Sequence, residues 1–96
     1  MLVRVSDKAV KHIMRRHKDW IELLNLKTEE EVRTFIASIL AQPDEIHRDR
    51  VRVDVKYFIR KLDSMFLCVV VVGEEVVTAY LISLDKYVKY KVRRWA

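Results

Sequence analysis

The sequence is poor in the residues that build glycine-rich ligand loops, since it has one glycine and one proline among 96 residues. A single glycine excludes the P-loop, the dinucleotide-binding glycine pattern and the nucleophile elbow, because each of these motifs needs at least two glycines. Scarce glycine and proline also leave little sequence for long irregular loops. We therefore expect closely connected helices and strands.

Cysteine and long apolar runs are equally scarce. The one cysteine, Cys68, excludes a disulfide framework within the chain and lies in the run FLCVVVV, where a small buried side chain is typical. The longest apolar run, residues 65–72, is far shorter than the ~20 residues of a membrane helix. The first residues, MLVRVSDK, lack the apolar region of a signal peptide. We therefore expect a soluble protein of the cytoplasm.

Neutral amide side chains are almost absent. The sequence has only Asn25 and Gln42, compared with 19 Lys/Arg and 14 Asp/Glu. Such a charge-rich, amide-poor composition is typical of thermophile proteins. The charge is uneven: residues 1–18 and 84–96 carry +5 and +4, whereas residues 19–83 carry −4. If the two basic ends meet in the fold, they form a positive patch suited to a polyanion. The alternative is an ordinary charged surface.

Two helices are predicted in the first half of the chain. Apolar residues at helical spacing predict a first helix over residues 7–18, with His17 at the end of its apolar stripe. Residues 19–27 have no clean period and fit either a short helical turn or a packed connection. A capping-box pattern at Thr28 begins a second helix, which Pro43 ends.

The apolar period then changes to alternation, which predicts strands. Four segments are assigned to strands: residues 45–50, 51–60, 65–72 and 74–83. Gly73 favours a tight hairpin turn before the last of them. The tail, residues 84–96, fits either a helix or a short turn with an edge strand. We expect one α+β domain, in which two N-terminal helices pack on one face of a three- to four-stranded antiparallel sheet.

Metal-ligating patterns are weak, so we expect no metal and no cofactor. His12 and His17 are five residues apart and diverge by about 140° on a helix, whereas chelation from one helix normally uses residues four apart. The third histidine, His47, lies in a short strand, where a surface position is expected. His12 and His17 are candidates for proton transfer, because histidine titrates near neutral pH. Packed or surface histidines are the alternative.

Two hydroxyl side chains, Thr78 and Tyr80, lie two residues apart in the last predicted strand and therefore point to one face. Cationic side chains alternate along an earlier strand, where Arg52, Lys56 and Arg60 share a face. Each set fits a structural role, as strand fillers and as a solvated strand face. Together they also fit a surface that holds a phosphate or a ribose 2′-hydroxyl.

The order of these parts resembles the phage-type branch of the barnase, EndoU, colicin and RelE (BECR) nuclease superfamily. Four segments carry the resemblance, which spans nearly the whole chain: SDKAVKHIMRRH (6–17), QPDEIHRD (42–49), VKYFIRK (55–61) and VVTAYLIS (76–83). The resemblance implies a barnase/RelE-like fold and RNA cleavage without a metal, as found in toxins and in proteins that act on tRNA or mRNA. In that chemistry a base takes the 2′-OH proton and the oxygen attacks the adjacent phosphate. An acid then protonates the leaving 5′-oxygen, while cations stabilise the phosphorane.

The resemblance also implies which side chains form the site. The catalytic candidates are His12, His17, Arg48, Lys56, Thr78 and Tyr80. The further RNA-binding candidates are Lys8, Lys11, Arg15, Arg16, Arg52, Arg60, Lys89, Lys91 and Arg93. The choice of base between the two histidines, and of strand cation between Arg48 and Lys56, stays open. The sequence departs from the superfamily pattern in its tail, which lacks a glycine expected before the last strand.

Three functions are compatible with these features. The leading prediction is a small, metal-independent endoribonuclease, toxin-like or derived from a mobile element, that acts on tRNA, mRNA or ribosome-associated RNA. The second is a nucleic-acid-binding module without chemistry. The third is a protein-interaction domain whose basic ends bind an acidic partner, such as an antitoxin or an immunity-type protein. No membrane partner is expected.

Overall fold

The computed structural model describes residues 3–96 and shows an α+β fold in which helices precede an antiparallel sheet. The elements follow in this chain order: α1 (Asp7–Arg16), α2 (Lys18–Leu23), α3 (Glu29–Ala41), β1 (Glu45–Arg48), β2 (Val55–Leu62), β3 (Met65–Val72), β4 (Glu75–Ser83) and α4 (Leu84–Arg93). The four strands form one sheet in the order β1-β2-β3-β4, so β1 and β4 are its edges. The predicted fold class is confirmed, with four strands.

The longer helices begin at side-chain caps that the sequence contains. Ser6 and Ser83 accept backbone N–H groups at the starts of α1 and α4. Thr28 and Glu31 form the reciprocal capping box that begins α3. Because each cap satisfies an otherwise unpaired donor of the first turn, it fixes where the helix starts. The cap at Ser83 makes the tail a helix rather than an edge strand.

The first helix is shorter than predicted, because it ends at Arg16 and a second short helix begins at Lys18. His17, between them, has φ −126° and ψ 54°, outside the helical region. The break brings Trp20 into the core, where the side chain is fully buried and its indole Nε1–H donates to the Ala79 carbonyl at 3.0 Å. Packing of one aromatic side chain therefore overrides the helical period of the sequence.

The predicted strand over residues 51–60 begins later, at Val55. Asp49 ends the pairing, because its carboxylate accepts the backbone N–H groups of Val51 and Arg52 at 3.0 and 2.8 Å. This local turn replaces the ladder hydrogen bonds of a strand. Two valines of the resulting loop are 85% and 95% exposed. Alternation of apolar and polar residues continued through this loop, which explains the wrong boundary.

The sheet is covered on both faces. Helices α1, α2 and α3 pack on one face, and the main core there includes Val10, Ile13, Trp20, Val32, Ile36, Ile39, Phe58, Leu67, Val69, Val71, Val76 and Ala79. Helix α4 covers the other face, where Tyr87 and Trp95 are buried against the sheet. The C-terminal residues are fixed to β1 by a hydrogen bond from the Ala96 N–H to the Arg48 carbonyl at 2.8 Å. The sequence had predicted no cover for this second face.

A β-bulge in β4 decides which face its side chains occupy. Val76 and Thr78 pair with consecutive residues of β3, so Val77 between them has no partner there. The extra residue shifts the alternation by one position. As a result Val76 and Ala79 both point into the main core. Thr78 and Tyr80 point to the face that α4 covers, away from the N-terminal helices.

Candidate functional site

His17 and Thr78 meet at the outer edge of the sheet. The junction of α1 and α2 packs beside the edge strand β4, and His17 Nε2 lies 3.1 Å from Thr78 Oγ1. The ring centroid of His12 is 5.9 Å from that of His17, and the ring centroid of Tyr80 is 6.1 Å from it. We term these four side chains the histidine site. Four of the six catalytic candidates thus come together.

The approach of the two histidines corrects the expectation that their side chains diverge. An angle of about 140° applies only if both residues belong to one continuous helix. Helix α1 ends at Arg16, and the backbone of His17 leaves the helical region. The break that brings α2 into the core therefore also places His17 beside Thr78 and within 5.9 Å of His12.

Burial and neighbouring cations favour the neutral form of His17. Partial burial lowers the pKa of its imidazole below the usual 6.5, His12 and Arg16 lower it further, and Asp19 opposes them. A neutral imidazole at pH 7 is able to accept a proton. The Thr78 hydroxyl bonds one ring nitrogen, and a hydroxyl can act as donor or acceptor in such a contact. Thr78 therefore orients the His17 ring, and with Thr78 Oγ1 as the acceptor the Nδ1 of the neutral ring keeps its lone pair free to accept a proton.

A depression of about 380 Å³ opens beside the histidine site on the α4 side of the sheet. We term it the Tyr80 depression, and its lining is His17, Asp19, Tyr80, Leu81, Ile82, Lys86, Tyr90 and Arg94. Burial raises the pKa of Tyr80, so its phenol is a hydrogen-bond donor at neutral pH. The Arg94 guanidinium carbon lies 4.4 Å from the Tyr90 ring centroid, which is a stacked cation–π contact. Tyr80, two cations (Lys86 and Arg94) and one acid (Asp19) thus line the space next to His17.

A larger depression, of about 730 Å³, lies between α1 and β4. We term it the α1–β4 groove, and its charged lining is Lys8, Lys11, His12, Arg15 and Glu75. The single acid, Glu75, forms an exposed ion pair with Arg4 at 3.4 Å. His12 lines this groove and His17 lines the Tyr80 depression, so the two depressions meet at the histidine pair.

Many cations of the two terminal helices, α1 and α4, have no acidic partner within 4.0 Å among the residues that the structure describes. Within residues 3–96, ion pairs join Arg4 to Glu75, Arg33 to Asp7 and Glu30, Arg52 to Asp54, and His47 to Glu45. None of these pairs involves the candidates on the two terminal helices: Lys8, Lys11, Arg15, Arg16, Lys89, Lys91 and Arg93. Three of them, Lys8, Lys11 and Arg15, line the α1–β4 groove, where cations without partners create the positive potential that attracts a polyanion.

The two basic ends of the chain meet at the Tyr80 depression. His17, from the N-terminal basic segment, lines this space together with Lys86 and Arg94 from the C-terminal basic segment. The two segments reach it from different sides, because α1 packs beside β4 and α4 crosses the second face of the sheet. The two segments thus approach each other at this depression, while the cations Lys8, Lys11 and Arg15 of the N-terminal segment line the neighbouring α1–β4 groove.

The strand cations Arg48 and Lys56 do not join the histidine site, which corrects the expected convergence. They are paired with each other in β1 and β2, and Lys56 is also paired with Val71 of the main core. Because paired residues point to the same face, both lie on the face of the N-terminal helices. Thr78 points to the opposite face and lies in the other edge strand.

Two of the RNA-binding candidates, Arg60 and Arg52, form contacts within the protein away from the histidine site. Arg60 donates to the carbonyls of Ser38 and Gln42 at 3.2 and 2.9 Å, so it caps the C-terminal end of α3. Arg52 lies in the loop between β1 and β2 and forms an ion pair with Asp54 at 3.1 Å. The expected shared cationic face therefore does not exist next to Thr78 and Tyr80.

The expected surface position of His47 is wrong. Its ring stacks on Trp95 with centroids 4.4 Å apart, and its Nε2 lies 2.7 Å from Glu45 Oε1. The Tyr87 hydroxyl donates to the same carboxylate. His47 thus belongs to the packing between α4 and the sheet.

Sequence reasoning missed Lys86, Tyr90 and Arg94 as parts of the site. The only available signal was the helical spacing of the tail combined with its net positive charge. Because a strand fitted the tail equally well, the sequence did not determine on which face of the sheet these residues lie. The cap at Ser83 and the burial of Tyr87 decide it.

Comparison with known proteins finds no match: no protein family matches the chain, and no curated protein or solved structure is significantly similar to it. Among residues 3–96, no three His, Cys, Asp or Glu side chains form a group that could hold a metal ion. In the same part of the chain, no helix has the length and apolar character needed to cross a membrane. The proposals below therefore rest on the site itself.

Proposed function

We propose that this protein is a small BECR-type endoribonuclease that cleaves RNA by attack of a ribose 2′-oxygen on the adjacent phosphate. The supporting observation is the contact of 3.1 Å between His17 Nε2 and Thr78 Oγ1, with the His12 ring 5.9 Å from that of His17. Two imidazoles at one phosphodiester supply the base and the acid that this reaction needs. Cations without acidic partners border the pair on both sides.

In this proposal His17 is the base, because its lowered pKa keeps it neutral at pH 7. It takes the proton of the 2′-hydroxyl while that oxygen forms a bond to phosphorus. His12 then gives a proton to the 5′-oxygen as its bond to phosphorus breaks. The products are a 2′,3′-cyclic phosphate and a 5′-hydroxyl end, and Thr78 contributes by orienting the base.

In this proposal, residues of the Tyr80 depression stabilise the charged phosphorane. Tyr80 and Arg94 both line this space, whereas Arg48 and Lys56 lie on the other face of the sheet. One donor aimed at developing negative charge is worth about 10²–10³ in rate. Arg94 therefore takes the role that the resemblance assigned to a strand cation.

The test is incubation of the purified protein with RNA in the presence of EDTA, with analysis of the product ends. We expect cleavage that EDTA does not inhibit and 2′,3′-cyclic phosphate ends on the products. Three substrates are compared, namely total RNA, isolated tRNA and ribosome-bound message, because the site does not define one of them. Intact RNA with all three would contradict the proposal. If that intact RNA is bound with steep salt dependence, the protein is a binding module without chemistry.

The pH dependence of cleavage tests the assignment of the base. The base must be neutral, so activity is lost as pH falls through the pKa of His17, which lies below the usual 6.5. Arg16→Gln removes a cation that lowers this pKa, so the acidic limb of the kcat/KM profile should move to higher pH. Lys18→Gln is the matched charge control and should not move it. A parent limb above 6.5, or no shift with Arg16→Gln, contradicts the assignment.

A further inference from the structure

A third depression, of about 460 Å³, lies between α4 and the loop that joins β1 to β2. We term it the Arg50 depression, and its lining is Asp49, Arg50, Val51, Lys89, Tyr90, Arg93 and Arg94. Tyr90 and Arg94 also line the Tyr80 depression. The stacked pair of Tyr90 and Arg94 therefore connects this third space with the histidine site.

Hydrogen bonds within the protein fix the shape of the Arg50 depression. Asp49 shapes the loop, because its carboxylate accepts the Tyr57 hydroxyl at 2.7 Å and two backbone N–H groups of the loop at 3.0 and 2.8 Å. The loop is joined to the end of α4 by a hydrogen bond of 2.8 Å from the Arg50 N–H to the Arg94 carbonyl. The one acid of the depression is thus engaged inside the loop, and the backbone of the loop is joined to the end of α4.

Four cations face this space: Arg50, Lys89, Arg93 and Arg94. None of them forms an ion pair within 4.0 Å in the part of the chain that the structure describes. Cations at the end of a helix also complement its dipole. That effect explains cations within α4 but not Arg50, which lies in the loop between β1 and β2. The Arg50 guanidinium reaches the same end of α4, where it donates to the Trp95 carbonyl at 3.3 Å. The Trp95 contact occupies one of the five N–H donors of Arg50, so cations from two elements line one depression, which suits an anionic ligand.

We propose that the Arg50 depression binds the RNA strand beyond the cleavage site, so that the preferred substrate is an unpaired strand. The strand would run from the α1–β4 groove through the histidine site and over Tyr90 and Arg94 into the Arg50 depression. Bases stack on tyrosine rings and on arginine planes, and lysine and arginine bind the phosphates between them. The direction of this path rests on the proposed endoribonuclease function, but the binding does not require cleavage.

The path excludes a duplex for a geometric reason. It passes from the edge strand β4 onto the face of the sheet that α4 covers, on a molecule measuring 35 × 29 × 23 Å. A DNA duplex has a persistence length of about 150 base pairs, so bending a short duplex round a sheet edge costs free energy that a flexible single strand does not lose. A duplex also hides its bases from Tyr90. Single-stranded RNA should therefore bind more tightly than the same sequence annealed to its complement.

The test measures binding of uncleavable 2′-O-methyl oligonucleotides by fluorescence anisotropy, with a long one of about 12 and a short one of about 3 nucleotides. The double variant Arg50→Gln/Arg93→Gln should bind the long oligonucleotide on the order of tenfold more weakly. Its slope of log affinity against log salt should fall by about 1.4, since each lost single-strand phosphate contact is worth about 0.7. The matched variant Lys27→Gln/Lys61→Gln loses the same charge elsewhere and should change neither quantity. All three proteins should bind the short oligonucleotide alike.

Three results would overturn the inference. These are an unchanged affinity of the double variant for the long oligonucleotide, an equal loss with the short one, or tighter binding of the duplex. Because the oligonucleotides cannot be cleaved, failure of the nuclease proposal leaves these measurements intact. Conversely, suppose that the parent protein cleaves RNA and the double variant binds the long oligonucleotide normally. That result contradicts only the proposal that the Arg50 depression binds the RNA strand.

Discussion

His17→Ala is expected to reduce kcat/KM for RNA cleavage by about 10²–10⁴-fold, the usual contribution of a positioned general base. Affinity for an uncleavable RNA should stay close to that of the parent, because the cations of both depressions remain. The variant should fold, since the His17 side chain makes no capping hydrogen bond to α2 and lies near the surface. Thermal unfolding followed by circular dichroism checks this point. Lys18→Ala, one residue further along the chain, is the control and should cleave like the parent.

Two variants of Thr78 separate orientation of the base from packing. Thr78→Ser keeps the hydroxyl that contacts His17 Nε2, whereas Thr78→Val keeps the shape and removes the hydroxyl. We expect the serine variant to retain most of the activity and the valine variant to lose it, with the acidic limb of the pH profile altered only in the latter. Full activity in His17→Ala, His12→Ala and Thr78→Val together would rule out the proposed mechanism.

The parts of the fold that follow from the sequence are those with a local chemical signal. Helix α3 was predicted from the capping box at Thr28 and the stop at Pro43, and it is observed from Glu29 to Ala41. The central strand β3 was predicted from an unbroken apolar run, because a central strand is apolar on both faces. These elements depend little on the rest of the chain.

The meeting of His17 with Thr78 could not be predicted, because two local irregularities produce it. The helix break at His17 involves neither glycine nor proline, and the bulge at Val77 lies in a run of ordinary strand residues. The two irregularities lie close together in the fold, because Trp20, which follows the helix break, donates to the carbonyl of Ala79, which follows the bulge. A periodicity argument assumes that no such irregularity exists.

The same bulge explains why the strand cations were placed wrongly. The alternation of β2 was predicted correctly, since Val55, Tyr57 and Ile59 share one face and Lys56 lies on the other. The relation between the faces of β2 and β4, however, depends on the register across two hairpins. One extra residue in β4 reverses that relation and moves Thr78 to the face opposite Lys56.

Trp20→Ala is expected to lower the free energy of unfolding by about 3–5 kcal/mol, the usual cost of removing a buried tryptophan side chain. Trp20 is fully buried, and its ring lies 5.8 Å from that of Phe35 between α2, α3 and the sheet. A domain of this size has a total stability of roughly 5–15 kcal/mol, so the variant should be close to unfolding. Urea unfolding at equilibrium measures the change through the shift in midpoint.

Trp20→Phe isolates the hydrogen bond from the apolar packing. It keeps most of the buried ring but leaves the Ala79 carbonyl without its donor, which adds about 1–3 kcal/mol for an unsatisfied buried group. Trp95→Phe is the matched control, because Trp95 is 1% exposed and its Nε1–H has no partner within residues 3–96. That substitution removes similar volume without breaking a hydrogen bond, and it also removes an unsatisfied donor. Trp20→Phe should therefore be the more destabilising of the two. Equal costs would mean that the hydrogen bond between Trp20 and Ala79 does not hold α2, and with it His17, against the edge of the sheet.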